Sequence, residues 1–359
     1  MKKAFVLLFG FVLIIGLLAG CGTESASTDT TKEPVTDSTG TDSSENKVID
    51  VLKVSFVPSK DPDQIITTTE PLKELLKNEL GTLGYDVKKV EISVGTTYEA
   101  VGEALEAGTT DIGLIPGGTY ALYDSGADVI LTATRAGLSN DSSNAKAWND
   151  NKPTTAIDKQ VTYYLGLLIT GPSAKGQELA QKVNSGQELT WDDLNSANWS
   201  VMSSSSSSGY IYPTLWLQDK YGKGITDLSH VIQSDSYGSS FARLAAGQAD
   251  VIVIYADARR DNEEAWTTKF ARTASIWDET NVIGVTAPIY NDTVSVSKNS
   301  KIMTDDLKSA IQTAFINIAK TEEGKGVIAI YSHQGYQLAK SSDYDNERKA
   351  QEFLKTLKK

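Results

Sequence analysis

The sequence predicts an α/β protein of two lobes with a ligand cleft between them. Short aliphatic and β-branched runs alternate with amphipathic stretches from residue 48 onward. That part of the chain is too long for one comfortable core. A hydroxyl-rich turn also opens a helix, the kind of place where small ligands bind in such folds.

Before the folded region, Lys2 and Lys3 precede an apolar run from Ala4 that ends in Leu17-Leu18-Ala19-Gly20-Cys21. A basic end, an apolar centre and small residues at the cut site predict a secretory signal over residues 1–20. The run is too short for a comfortable transmembrane helix. Cys21 is the single cysteine, so no disulfide can form within the chain and no cysteine-based metal site can be built. It follows Leu-Ala-Gly as the thiol of a bacterial lipobox does. Cys21 is therefore expected to carry lipid and to hold the protein on the extracytoplasmic face of the cell membrane; an ordinary signal peptide with a chance cysteine is the alternative. Residues 21–47 are dominated by Ser, Thr, Asp, Glu, Gly and Lys without an aromatic. They are expected to be a disordered tether, because such a segment buries too little to offset its ordering entropy.

The elements then follow in order. Val51–Val57 reads as a strand, and Leu72, Leu75, Leu76 and Leu80 mark one face of a helix over Glu70–Leu80. Val87–Val94 is strand-like, and Tyr98–Ala107 is a short helix with Ala100, Val101, Ala104 and Leu105 inward. Strands follow at Asp111–Ile115, Val129–Ala133, Tyr163–Thr170, Trp199–Met202, Val251–Tyr255 and Ala274–Trp277. Met303, Leu307, Ile311, Ala314 and Ile318 repeat at helical spacing, and Asn346–Leu357 is a last helix. Alternation of this kind predicts mostly parallel sheets. The first lobe is expected to hold residues 48–160 and 285–359, and the second 161–284.

The formal charge is −12, falling to −14 once Lys2 and Lys3 are removed. That argues against nucleic acid and against electrostatic adhesion to anionic lipid. It leaves room for an anionic ligand, since a buried site can hold one through backbone amides. Histidine is scarce. His230 and His333 have no partner at metal-ligand spacing, and no HExxH, GxSxG, P-loop or GxGxxG occurs. Both histidines are expected to face solvent or cap an element. No metal and no cofactor are expected, and the protein is not expected to be an enzyme.

Ser203 to Ser208 form an unbroken run, followed by Gly209 and Tyr210. Composition alone suggests a linker. The flanks do not, because a strand enters the run and an amphipathic helix with Tyr212, Leu215, Trp216, Leu217 and Tyr221 leaves it. Free amides, hydroxyl donors and the positive end of a helix dipole suit a tetrahedral anion.

Ser206-Ser207-Ser208-Gly209-Tyr210 with Pro213 resembles the Ser-Thr-Ser-Gly-aromatic…Pro signature of the phosphonate/phosphite-binding proteins of ABC importers. Val57-Pro58-Ser59, Glu70-Pro71-Leu72, Thr97-Tyr98-Glu99-Ala100-Val101 and Asp111-Ile112 resemble that family's early strands and helices in the same order. The resemblance spans about residues 50 to 335. It implies two α/β lobes joined by two crossovers with a ligand cleft between them, the periplasmic-binding-protein-like fold of type II. It also implies a monomeric receptor that captures a phosphonate-type oxyanion for an ABC permease.

Residue by residue, the resemblance implies that Ser206, Ser207 and Ser208 donate to the phosphonate oxygens, with Tyr98 and Tyr163 as cleft aromatics. Tyr237 stands where the family often has a histidine. Asp257 stands where the family's aminophosphonate binders have an acidic residue, and Asn291-Asp292 resembles the family's Pro-Asn-Asp or Pro-Gly-Asp near the second crossover. The pocket carried over in this way holds no lysine or arginine, so the two aspartates suggest a zwitterion such as 2-aminoethylphosphonate with its ammonium between them. The chain departs from the family at Tyr237, at Ile115-Pro116-Gly117-Gly118 and at Tyr290. Another small oxyanion or zwitterion, or an enzyme acting on phosphate esters, are the alternatives.

Overall fold

The computed structural model describes residues 47–357, which form two mixed sheets linked by a pair of short strands. The chain first lays down β1 (Lys47–Phe56), β2 (Tyr85–Val94), β3 (Ile112–Ile115), β4 (Ala127–Leu138) and β5 (Ala156–Val161). It crosses over through β6 (Tyr163–Tyr164) and builds the second sheet from β7 (Gly166–Thr170), β8 (Trp199–Val201), β9 (Val231–Gln233), β10 (Val251–Tyr255) and β11 (Asn281–Val285). It returns through β12 (Ile289–Tyr290), which pairs with β6, and completes the first sheet with β13 (Thr293–Ser297) and β14 (Gly335–Leu338). The strand orders are β14-β4-β13-β3-β1-β2, with β5 beside β4, and β11-β7-β10-β8-β9. The expected signal peptide, Cys21 and the tether apart from Lys47 lie outside the described residues.

Local sequence explains the elements. Val251–Tyr255 is a continuous apolar run because β10 is buried on both faces in the middle of its sheet. Leu72, Leu76 and Leu80 recur every four residues and form the buried face of the helix Leu72–Thr82. The helix Tyr98–Ala107 starts at Thr97, whose hydroxyl accepts from the Ala100 amide at 3.0 Å, and stops at Gly108 in the left-handed region at φ 70°.

Two expectations are corrected. The sheets are mixed rather than mostly parallel. β13 enters between β3 and β4 and runs antiparallel to both, and β7 is antiparallel to β10 and β11. Return crossovers thread strands backwards into sheets that already exist, which a local alternation pattern does not reveal. Ala274–Trp277 is not a strand either. Ser275 caps the helical turn Ile276–Glu279, its hydroxyl accepting from the Trp277 amide at 3.1 Å, and the strand starts at Asn281.

One apolar cluster runs from the first sheet into the second by way of Tyr164, Leu165, Met202, Ile211 and Tyr212, and a smaller one lies within the second lobe. The lobes are in contact across the cleft. The Gly118 amide donates to Ser207 Oγ at 3.0 Å, the Thr119 hydroxyl reaches Ser205, and the Tyr237 amide donates to the Ser59 carbonyl at 3.2 Å. In the structure these contacts bring the two walls of the cleft together.

Candidate functional site

Between the lobes lies a cavity of about 40 Å³. Its second-lobe wall is the serine run. After β8 the chain folds back, with the Met202 amide donating to the Gly209 carbonyl at 3.0 Å. Ser207–Ile211 form a wide helical turn that leads into the helix Tyr212–Tyr221. The Ser206 hydroxyl caps this turn by accepting from the Gly209 amide at 3.3 Å. Ser206, Ser207 and Ser208 are all buried and line the cavity.

Tyr237 opens the helix Tyr237–Ala245, whose cap is Ser236. Its hydroxyl lies 3.1 Å from Ser206 Oγ and 2.9 Å from Ser208 Oγ. Burial raises the pKa of the Tyr98, Tyr164, Tyr237, Tyr255 and Tyr331 phenols, so they stay protonated as donors. This wall is neutral and rich in rotatable O–H groups, a design that adapts to an oxyanion at little desolvation cost.

The opposite wall carries charge. Arg135, on β4, donates to Asp292 Oδ2 at 2.7 Å, and His333 Nε2 lies 3.0 Å from the same oxygen. Burial opposes ionisation of Asp292, but Arg135 and His333 overcome it and hold the carboxyl below the usual range. Burial depresses His333 against the pull of Asp292, which leaves it a neutral imidazole. The Lys60 ammonium also borders the cavity, donating to the Tyr255 hydroxyl at 3.0 Å and lying 3.3 Å from Asp261.

Of the residues expected from the sequence, Tyr98, Ser206, Ser207, Ser208, Tyr237 and Asp292 line this one cavity. Tyr163 does not. Its hydroxyl donates to Asp141 at 2.6 Å, away from the cleft, and Tyr164 faces inward instead. Neighbouring strand residues point to opposite faces, so an alignment one residue out selects the wrong tyrosine. Asp257 does not line it either. Its fully buried carboxylate makes a two-pronged pair with Arg259 at 2.9 and 2.7 Å and accepts from Thr154 at 2.9 Å. The carboxylate is already neutralised within the protein, so it is not available to a ligand cation. Against the expectation of no basic residue, Lys60 and Arg135 line the cavity.

Sequence reasoning missed Lys60, Arg135, Tyr255 and Tyr331. For Arg135 a signal existed: one permanent positive charge directly after the run Leu131-Thr132-Ala133-Thr134, all four of which are buried. His333 is buried rather than solvent-facing because it is the hydrogen-bond partner of Asp292. Among the described residues no cluster of three or more His, Cys, Asp and Glu side chains could hold a metal ion, and no helix is long and apolar enough to cross a membrane.

Fold and site together define a two-lobed solute-binding protein. The chain belongs to the family described as ABC transporter, phosphonate, periplasmic substrate-binding protein, which matches residues 54–344. Among solved structures it is similar to a binding-protein component of an ABC phosphonate transporter from Pseudomonas aeruginosa. The identity is 14%, over 85% of this chain and 86% of that one, with a TM-score of 0.62. PhnD1 of Prochlorococcus marinus in complex with methylphosphonate matches at 15% identity over 85% and 98% of the two chains, TM-score 0.61. A Xanthomonas citri protein bound to ATP matches at 12% identity over 86% and 98%, TM-score 0.60. At such identities the likeness establishes the two-lobed fold.

Proposed function

We propose that this protein is a membrane-tethered receptor that captures a small phosphonate-type oxyanion and delivers it to the permease of an ABC importer. The observation that carries the reading is the Tyr237 hydroxyl set between Ser206 and Ser208 in a cavity closed between two lobes. Those hydroxyls suit the oxygens of a tetrahedral anion, and Lys60 and Arg135 supply positive charge.

Size supports the same reading. A water molecule needs on the order of 10–15 Å³ of such space, so about 40 Å³ suits phosphite, phosphate or a phosphonate with a short substituent. The 2-aminoethylphosphonate suggested by two free aspartates loses its support, because Asp257 is paired with Arg259 and Asp292 with Arg135. Lipid on Cys21 would keep the receptor, acting as a monomer, at the membrane surface, where stable anchoring takes at least two acyl chains.

Titration calorimetry with phosphite, phosphate, methylphosphonate, ethylphosphonate and sulfate tests the ligand class. At least one phosphorus oxyanion is expected to bind well above sulfate, and failure of all of them would remove the proposal. Cys21→Ala is expected to release the protein from membranes or to block its maturation. Fractionation that finds the variant processed and membrane-bound as before would contradict the anchor.

A further inference from the structure

We propose that Arg135 determines which phosphonates the cleft accepts: it occupies the place of a ligand's ammonium group and so selects ligands whose substituent carries no positive charge. This rests on the phosphonate reading above. Asp292 is the single carboxylate among the residues that line the cavity. A carboxylate taken out of water needs a cationic partner, and it is the natural seat for a ligand ammonium. Here the protein supplies that cation itself, 2.7 Å away.

Arg135 is not free to move aside. It is 8% exposed, and its guanidinium carbon lies 4.4 Å from the Tyr164 ring centre and 5.6 Å from that of Tyr255. One donor is left over. The buried Arg135 Nε has no hydrogen-bond partner, a state that buried donors rarely keep unless something else completes it. An acceptor atom on the ligand would complete it, and an ammonium would not. With Lys60 also at the cavity, an incoming ammonium would meet two cations, Lys60 paired with Asp261 and Arg135 paired with Asp292, and no unengaged carboxylate among the lining residues.

The test is competition calorimetry on the intact mature protein with ethylphosphonate and 2-aminoethylphosphonate, which differ by one ammonium group. Wild type is expected to favour ethylphosphonate by about tenfold or more, since like charges placed together at a binding site are strongly unfavourable. Arg135→Met leaves Asp292 without its cation and is expected to shift the preference toward the aminoethyl ligand by at least about tenfold. The double variant Arg135→Met/Asp292→Asn removes both charges and is expected to bind the two ligands about equally; it covers the case in which the single variant does not fold. Wild type that binds both ligands equally, or favours 2-aminoethylphosphonate, overturns the role of Arg135. So does an ethylphosphonate preference that persists unchanged in both variants. If wild type binds neither alkylphosphonates nor phosphite, the phosphonate reading itself fails and this selectivity falls with it.

Discussion

A phenol hydroxyl placed between two serine hydroxyls has one proton to give and several oxygens to give it to. Tyr237, Ser206 and Ser208 therefore form a donor set whose protons can all turn toward an incoming anion. A hydrogen bond to a charged group contributes roughly 1.5–3 kcal/mol, and about 1.4 kcal/mol is tenfold in affinity. Ser206→Ala, Ser208→Ala and Tyr237→Phe are each expected to weaken oxyanion binding by about ten- to a hundredfold. Titration calorimetry checks this, and wild-type affinity in all three would return the run to a linker. Ser203 belongs to a different set, since its hydroxyl bonds Glu99 across the cleft rather than lining the cavity. Glu347 offers a second residue-scale test. It is 1% exposed, neither carboxylate oxygen has a partner of good geometry, and burial pushes it up to about 8 despite the nearby Tyr212 and Ser207 hydroxyls. An ordinary glutamate in the unfolded chain titrates near ~4.3, so between these values the folded protein holds a proton that the unfolded chain releases. Stability from this group is full below the unfolded pKa and is lost as pH rises through about 8. Melting temperatures are expected to fall over that window and Glu347→Gln to flatten the fall; a variant that keeps the full slope would assign it to another group. At this scale the sequence was readable where a motif named several neighbours at once, as with Ser206–Ser208. It was unreadable where one position decided the matter, as with Tyr163 against Tyr164, or where a partner lay 157 residues away, as with Arg135 and Asp292.

The helix Gly117–Tyr123 shows how an element can act as a seat for another lobe. A Cβ on Gly118 would stand 2.7 Å from the Ser205 carbonyl oxygen and 2.3 Å from Ile211 Cδ1, both in the opposing lobe. Backbone that close cannot yield without the cleft opening. Gly118→Ala is expected to lower ligand affinity by about tenfold or more while leaving the ligand-free melting temperature within a few degrees. Calorimetry beside small-angle scattering checks it: a variant that binds normally and compacts with ligand would show that Gly118 is not a closure contact. Elements of even composition were legible in advance. The Leu72 helix and the β10 run announce themselves by periodicity and by continuous apolarity. The antiparallel entry of β13 does not, because strand direction is set by the crossover and not by the residues of the strand.

At the scale of the whole molecule, the net charge of −12 and the neutral and cationic walls of the site pull in opposite directions. An anionic ligand approaches a repelling surface before it reaches an attracting cavity. Salt screens the long-range repulsion over about 8–10 Å and affects the buried contacts much less. Association rates for a phosphonate dianion are therefore expected to rise with ionic strength while dissociation changes little. Stopped-flow fluorescence measures both, and an association rate that falls with salt would point to a positive funnel at the cleft mouth.

The first sheet is discontinuous in sequence, and this has a consequence for the order in which the protein can assemble. The second sheet uses one unbroken stretch from Gly166 to Val285, so every partner it needs arrives together. The first sheet lacks β13 and β14 until the whole second lobe has been made, and β13 sits between β3 and β4. Until then β3 and β4 have open edges toward one another, and pairings over such long separations form late. A chain emerging amino-end first would thus hold a formed second lobe beside an unfinished first one. The edges of β3 and β4 would stay open meanwhile, and the cleft would exist only after the last long-range pairing closed.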